Sequence, residues 1–223
     1  MSELREIYHN QLTLSSDKWD PYFDVYERYI TKYKNKPVTL VEIGVQGGGS
    51  IQMWRKFLGD SAKIIGIDID PAVKDHEPFY DENTKIIVAD QGSPEFWDEF
   101  LKEHPEIDIL IDDGGHEMRQ QIVTFEKVFP HITKGGVFIC EDTHTSYFAQ
   151  FGAALFSPSS FIEYSKKLVD VINYQHVENK IRISANSLNL CKDLTAVNFY
   201  DSMVVFLKDG KKEFARVFAN PKS

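Results

Sequence analysis

The chain has 223 residues, 42% of them hydrophobic and 26% charged, enough for one substantial core in a globular protein. A net charge of −9 excludes nucleic-acid binding through a broad basic surface. No apolar run reaches the length of a membrane span, and the opening MSELREIYHN lacks the form of a signal peptide. The two cysteines, Cys140 and Cys191, make neither a disulfide framework nor a metal cluster, so a reducing, cytoplasmic setting is expected.

Residues 1–36 are expected to form an N-terminal helical segment, in which SSDKWDPYFDVYERYITKYK reads as an amphipathic helix. Short β-branched runs then alternate with helical patterns. PVTLVEIG, AKIIGIDI, TKIIVAD, IDILIDD and GGVFICED read as strands, apolar on both faces as in a covered parallel sheet. SIQMWRKFL, SPEFWDEFLKE and EMRQQIVTFEKVF read as the helices between them; in the last, Met118, Ile122, Phe125 and Phe129 share a face. SPSSFIEYSKKLVDVINY should be a helix capped by serine, and 174–194 is polar and irregular; 150–194 is the expected substrate-facing part. LTAVNFYDSMVVFLKDGKKEFA holds two strand-like runs meeting at Tyr200–Asp201, an antiparallel hairpin for the sheet edge. The pattern predicts an α/β fold with a mainly parallel sheet and right-handed crossovers, in a single domain over 1–223. Five parallel strands and a C-terminal antiparallel hairpin resemble the Rossmann-like class I methyltransferase layout.

In such a sheet, ligands bind beyond the carboxyl ends of the strands, beside the first one. The first turn reads VEIGVQGGGS: Gly44 is followed by Val45 and Gln46, so the second glycine of a dinucleotide fingerprint is missing. Gly44, Gln46 and Gly48 still let a ligand approach the backbone, and the next helix offers its N-terminal N–H groups. Glu42 would sit badly against a pyrophosphate but suits an ammonium group such as that of S-adenosylmethionine. A glycine turn with only a packing role is the alternative. Asp68, ending the second strand, stands where a carboxylate accepts hydrogen bonds from ribose hydroxyls, and Asp90 and Gln91 reach the same rim, where they could read an adenine edge. Capping a turn is the competing role for either aspartate.

IDDGGHE and FICEDTH each end an apolar run in a pair of acids. If their strands are neighbours, the pairs converge to roughly 5 Å. Carboxylates about 4 Å apart repel by roughly 4 kcal/mol at an effective dielectric near 20, which favours protonation or a bound cation. Hard oxygen donors suit Mg²⁺, and Asp113, Glu141 and Asp142 are the candidate ligands. Asp112 should turn toward the cofactor, since successive side chains alternate. Gly114 and Gly115 leave room for substrate, and His116 opens the next helix. Acids that merely cap turns, with a helix-start histidine, are the bland alternative.

Ser16 to Tyr147 resembles the metal-dependent sugar O-methyltransferases of macrolide biosynthesis, the macrocin and mycinamicin type. It also resembles families described as cephalosporin hydroxylases and rhamnosyl O-methyltransferases. SDKW, VEIGVQGGGSIQMW, GIDID, IDDGGH, TFEKVFPHITKGGVFICED and TSYF carry the likeness. The resemblance implies Mg²⁺ on Asp113, Glu141 and Asp142, and His116 as the base. It implies S-adenosylmethionine lined by Glu42, Ser50, Asp68, Gln91 and Asp112. The likeness fades over 150–194, and no counterpart of the large N-terminal domain of some macrolide enzymes is seen, so a macrolide acceptor does not follow.

The mechanism to be tested is in-line methyl transfer onto one of two vicinal hydroxyls oriented by Mg²⁺, with neutral His116 accepting the proton. The expected partner is a small molecule or glycan bearing a sugar hydroxyl; assembly into a homo-oligomer is open. A catechol acceptor, or a non-catalytic nucleotide-binding subunit, are the alternatives. His144 reads as a loop histidine near the acidic pair, Trp54 as core, and Lys18 and Trp19 as closing over the cofactor, with simple packing the alternative for Trp19.

Overall fold

The computed structural model describes residues 2–178, 193–210 and 214–219. Seven strands form one sheet: β1 (Thr39–Ile43), β2 (Lys63–Asp68), β3 (Thr84–Val88), β4 (Ile107–Asp112), β5 (Ile132–Cys140), β6 (Ala196–Tyr200) and β7 (Met203–Lys208). Their order is β3-β2-β1-β4-β5-β7-β6. The first five run parallel, whereas β7 pairs antiparallel with both β5 and β6. This is the parallel sheet with an antiparallel hairpin expected above. The hairpin turns at Asp201–Ser202, where Ser202 takes a left-handed backbone with φ +62°.

Strand alternation divides the core into two layers. Leu40, Ile64, Ile109, Ile111, Val137 and Ile139 face α1 (Glu3–Asn10), α2 (Tyr22–Ile30) and α3 (Gly49–Leu58). Val41, Ile43, Ile65, Ile67, Leu110 and Phe138 face α4 (Pro94–Glu103), α5 (Met118–Val128) and α6 (Phe161–Ile172). Trp54 is fully buried in the first layer, and Cys140 in the second, as their settings in apolar runs suggest. Local chemistry fixes the helix starts: Ser93 Oγ accepts from Phe96 N at 3.2 Å ahead of Pro94, and Ser160 Oγ accepts from Glu163 N at 3.2 Å.

The N-terminal segment departs from the expected single helix over 15–34. Residues 3–10 form a helix of their own, and the next helix starts only at Tyr22. Ser15–Asp20 runs between them as a non-helical strap. Pro21 disfavours helical backbone at Asp20. The backbone here is committed instead to the start of α3: Ser15 O accepts from Gly49 N at 2.9 Å, and, just ahead of the strap, Thr13 N donates to Gln52 Oε1 at 2.9 Å. Most of the irregular 174–194 stretch, with Cys191, lies outside the described residues. Among those described, no helix is long and apolar enough to cross a membrane.

Candidate active site

β1 and β4 are neighbours although β2 follows β1 in sequence, so the sheet reverses its winding between them. The carboxyl ends of β1, β4 and β5 meet at that point. Asp112 pairs with Ile43 on one side and Cys140 on the other, which sets Asp113 beside Glu141 and Asp142. The two acidic pairs therefore converge.

A cleft of about 420 Å³ opens here, bordered among others by Gln46, Ser50, Asp68, Ile69, Asp90 and His116. Asp68 organises its floor: Oδ2 accepts from Val45 N at 2.8 Å and Gln46 N at 2.9 Å, and Oδ1 from Asp70 N at 2.9 Å. The glycine turn is thus held by the very carboxylate expected to meet a ribose. Gly44 (φ +90°) and Gly48 (φ +82°) adopt conformations that side chains rarely take. Asp90 Oδ1 accepts from Gly92 N at 2.7 Å, a turn-capping bond, while its residue still borders the cleft.

Gln91 is nearly buried and spends its amide inside the protein. Nε2 donates to Asp112 Oδ1 at 2.8 Å, and Oε1 accepts from Gly115 N at 2.9 Å. It clamps the Asp-Asp-Gly-Gly turn, while the residue itself still borders the cleft. Asp112 is 1% exposed. Burial raises its pKa to about 6, against the bond from Gln91.

The acids behind the cleft carry the largest departure from sequence expectation. Lys18, on the N-terminal strap, reaches in with a side chain only 2% exposed. Its Nζ lies 2.5 Å from Asp113 Oδ2, 3.2 Å from Glu141 Oε2 and 3.5 Å from Glu42 Oε1. Burial works against its charge, but Asp113 and Glu141 outweigh that and hold its pKa well above the usual lysine range. The cation facing Glu42 is therefore the chain's own; Glu42 Oε2 accepts from Ser50 Oγ at 2.8 Å. Burial drives the pKa of Glu42 upward against the pull of Lys18. Burial and Asp113 drive that of Glu141 well up, although Tyr26 OH donates to Glu141 Oε1 at 2.6 Å. Three acids around one ammonium leave a surplus of negative charge. Sequence reasoning noticed Lys18 only as a residue near the cofactor and missed Tyr26; SDKW, shared with the resembled family, was the available signal.

Asp113, His116 and Asp142 gather on the open side. Each offers one potential ligand atom, and these atoms lie within 4.8 Å of one another. His116 Nε2 is 3.6 Å from Asp142 Oδ2 and 3.9 Å from Asp113 Oδ1. Tyr22 OH donates to Asp142 Oδ1 at 2.6 Å and steadies it. Gln46, His116 and Asp142 all have left-handed backbones, with φ of 45°, 56° and 50°. Strain of this kind gathers at functional sites. Of the three expected metal ligands, Asp113 and Asp142 stand with His116, whereas Glu141 is turned to Lys18 and Tyr26. His144 reaches the same rim: its Nδ1 is 4.0 Å from Asp142 Oδ1 and hydrogen-bonds Ser202 Oγ.

Residues 41–143 match the family described as a methyltransferase domain. The chain is 32% identical to the 8-demethyl-8-alpha-L-rhamnosyl tetracenomycin-C 2'-O-methyltransferase of Streptomyces olivaceus, over 71% of this chain and 43% of that one. It is 29% identical to the mycinamicin VI 2''-O-methyltransferase of Micromonospora griseorubida, over 84% and 48% respectively. A solved MycE methyltransferase from the mycinamycin biosynthetic pathway, in complex with Mg, SAH and mycinamycin VI, superposes with a TM-score of 0.80 at 25% identity; the match covers 100% of this chain and 56% of that one. The chain thus spans less than half the length of the curated relatives it matches. The fold is that of the class I methyltransferases.

Proposed function

From a chain homologous to sugar O-methyltransferases, with a methyltransferase domain matched over residues 41–143, we propose that it transfers a methyl group from S-adenosylmethionine to a sugar hydroxyl with the help of Mg²⁺. The observation that carries this reading is the junction of two features at the strand ends. A cleft of cofactor size opens directly onto the Asp113–His116–Asp142 cluster.

The residues present fit both groups. Asp113 and Asp142 provide hard carboxylate oxygens of the kind Mg²⁺ prefers, while the imidazole of His116 is the softer donor and stays free to take a proton. Toward the nucleoside, Asp68 has lone pairs beyond the backbone bonds it accepts, and Ile69, two-thirds exposed at the cleft wall, offers an apolar face to a planar base. S-adenosylmethionine supplies the electrophilic methyl carbon, and Mg²⁺ supplies positive charge that lowers the pKa of the acceptor hydroxyl.

The chain's own residues do the rest. Asp68 takes up the N–H groups of Val45 and Gln46 and so braces the glycine turn, whose glycines let the cofactor approach the backbone closely. His116 Nε2, directed at the acidic pair, accepts the hydroxyl proton as the new O–CH₃ bond forms and the S–CH₃ bond breaks, the electron pair remaining on sulfur. Exposed aromatic side chains flank the acidic side: Trp19 meets His144 edge-on at 6.4 Å, and His144 meets Phe148 at 5.5 Å. Such a rim suits a sugar ring, with polar edges and apolar faces. The names of the relatives, which act on rhamnosyl and mycinamicin substrates, support a glycosylated small molecule as the acceptor class.

The test is incubation of the protein with isotopically labelled S-adenosylmethionine and a panel of rhamnosylated and deoxyhexosyl aglycones together with simple catechols, with and without EDTA. The expected result is label in one glycoside, lost with EDTA and restored by Mg²⁺. Transfer that continues undiminished in chelator would remove the metal from the reaction, and labelling confined to catechols would reassign the acceptor.

A further inference from the structure

Every carboxylate at the strand ends must be balanced by something, and part of that balance is already built in. Lys18 Nζ stands among Asp113, Glu141 and Glu42, its side chain 2% exposed. The backbone holds it there from both sides. Upstream, Ser15 bridges to Gly48, and a Cβ on Gly47 would come within 2.2 Å of Ser15 Oγ. Tyr8 OH donates to Ser16 O at 2.8 Å. Downstream, α2 begins at Tyr22, whose hydroxyl bonds Asp142. The ammonium and the open cluster share one residue, Asp113: Oδ2 receives Lys18, while Oδ1 faces His116.

We propose that Lys18 is a tethered counter-ion that competes with the divalent cation for Asp113, and that it keeps Glu141 away from the metal while it remains in place. The inference rests on the metal-dependent reading above. Two cations on one carboxylate repel each other, and at these separations the repulsion is strong even at an effective dielectric near 20. Metal uptake therefore draws Asp113 away from Lys18, and the strap that carries Lys18 also braces the glycine turn. Binding of the metal and the set of the cofactor loop are linked through this one side chain.

The probe is Mn²⁺, whose free concentration is read by electron paramagnetic resonance without any turnover. In Lys18→Met, which keeps the length of the side chain and removes its charge, Mn²⁺ should bind at least about tenfold more tightly than in the wild type. Equal or weaker binding in the folded variant overturns the proposal and leaves the metal reading standing. A wild-type protein that takes up no Mn²⁺ overturns both. If Lys18→Met does not fold, the wild type decides the matter through acetylation of Lys18 by acetic anhydride, followed by mass spectrometry. Saturating Mn²⁺ should raise that modification several-fold, and labelling that stays unchanged with the metal bound overturns the competition.

Discussion

Gly44 faces the carbonyl oxygen of Asp113 so closely that a Cβ on the glycine would lie 1.9 Å from it. The contact sits where β1 and β4 deliver their last residues, and Asp113 N donates back to Ile43 O at 3.0 Å. Cofactor turn and acidic turn are packed backbone to backbone. Gly44→Ala must relieve that overlap at a φ of +90° and should cost about 2–4 kcal/mol of stability. Urea unfolding of the purified variant measures it; a midpoint within error of the wild type would show that the two turns separate easily.

Asp68 offers a second reading of the same turn. Its Oδ2 holds the N–H groups of Val45 and Gln46. Asp68→Ala should weaken S-adenosylmethionine binding by about 1–3 kcal/mol, the scale of lost charged hydrogen bonds, while Mn²⁺ affinity changes little. Titration calorimetry of both ligands separates the effects. Unchanged cofactor affinity in a folded variant would mean the nucleoside lies elsewhere.

His116 is placed to differ in kind from the carboxylates around it. Its Nε2 approaches Asp142 and Asp113 at 3.6 and 3.9 Å, beyond hydrogen-bond range, and its Nδ1 is buried without a partner. His116→Ala should retain cofactor and metal binding while turnover on the true acceptor falls by about 10²–10⁴. Loss of metal affinity alongside turnover would make the imidazole a ligand instead of a base.

Asp112 gives the metal-free protein a pH dependence whose sign can be worked out. Its carboxyl titrates near 6 in the folded state because it is buried, against about 3.9 in an unfolded chain. Between those values the native protein binds the extra proton, so this stability is present below pH 4 and is lost as pH rises through 6. Asp112→Asn, which cannot ionise, should be more stable than wild type at pH 7.5 by on the order of 2 kcal/mol, and the gap should shrink toward pH 4. Denaturation in EDTA at both pH values checks this; a constant gap would point to a cause other than ionisation.

Much of this was legible in the sequence because the signals were local. Short β-branched runs, apolar on both faces, marked β1 to β5, strand-like runs marked β6 and β7, helical patterns marked α3 to α6, and Gly44 and Asp68 advertised a strand-end turn. The convergence of Asp113 with Glu141 and Asp142 followed from strand adjacency alone. What stayed hidden depends on long-range partners. Lys18 lies 95 residues from Asp113 and 123 from Glu141, and apart from the SDKW likeness the polar stretch around it gives no sign that the lysine will be buried. Gln91 borders the cleft as its position suggested, whereas the direction of its amide depends on Asp112 and Gly115. The strap over Ser15–Asp20 carries an amphipathic pattern, but its backbone is claimed by the glycine turn.

The C-terminal hairpin reaches further than its place at the sheet edge suggests. Ser202, in its turn, accepts from Thr143 N at 3.0 Å and from Tyr22 OH at 3.1 Å, and it bonds His144 from 58 residues downstream. On a ribosome the acidic pair emerges well before the turn that steadies it. The nascent chain can assemble the five parallel strands and its cofactor cleft while the acceptor side remains unlocked. On the proposed reading, the acceptor side is complete only once the last two strands have docked.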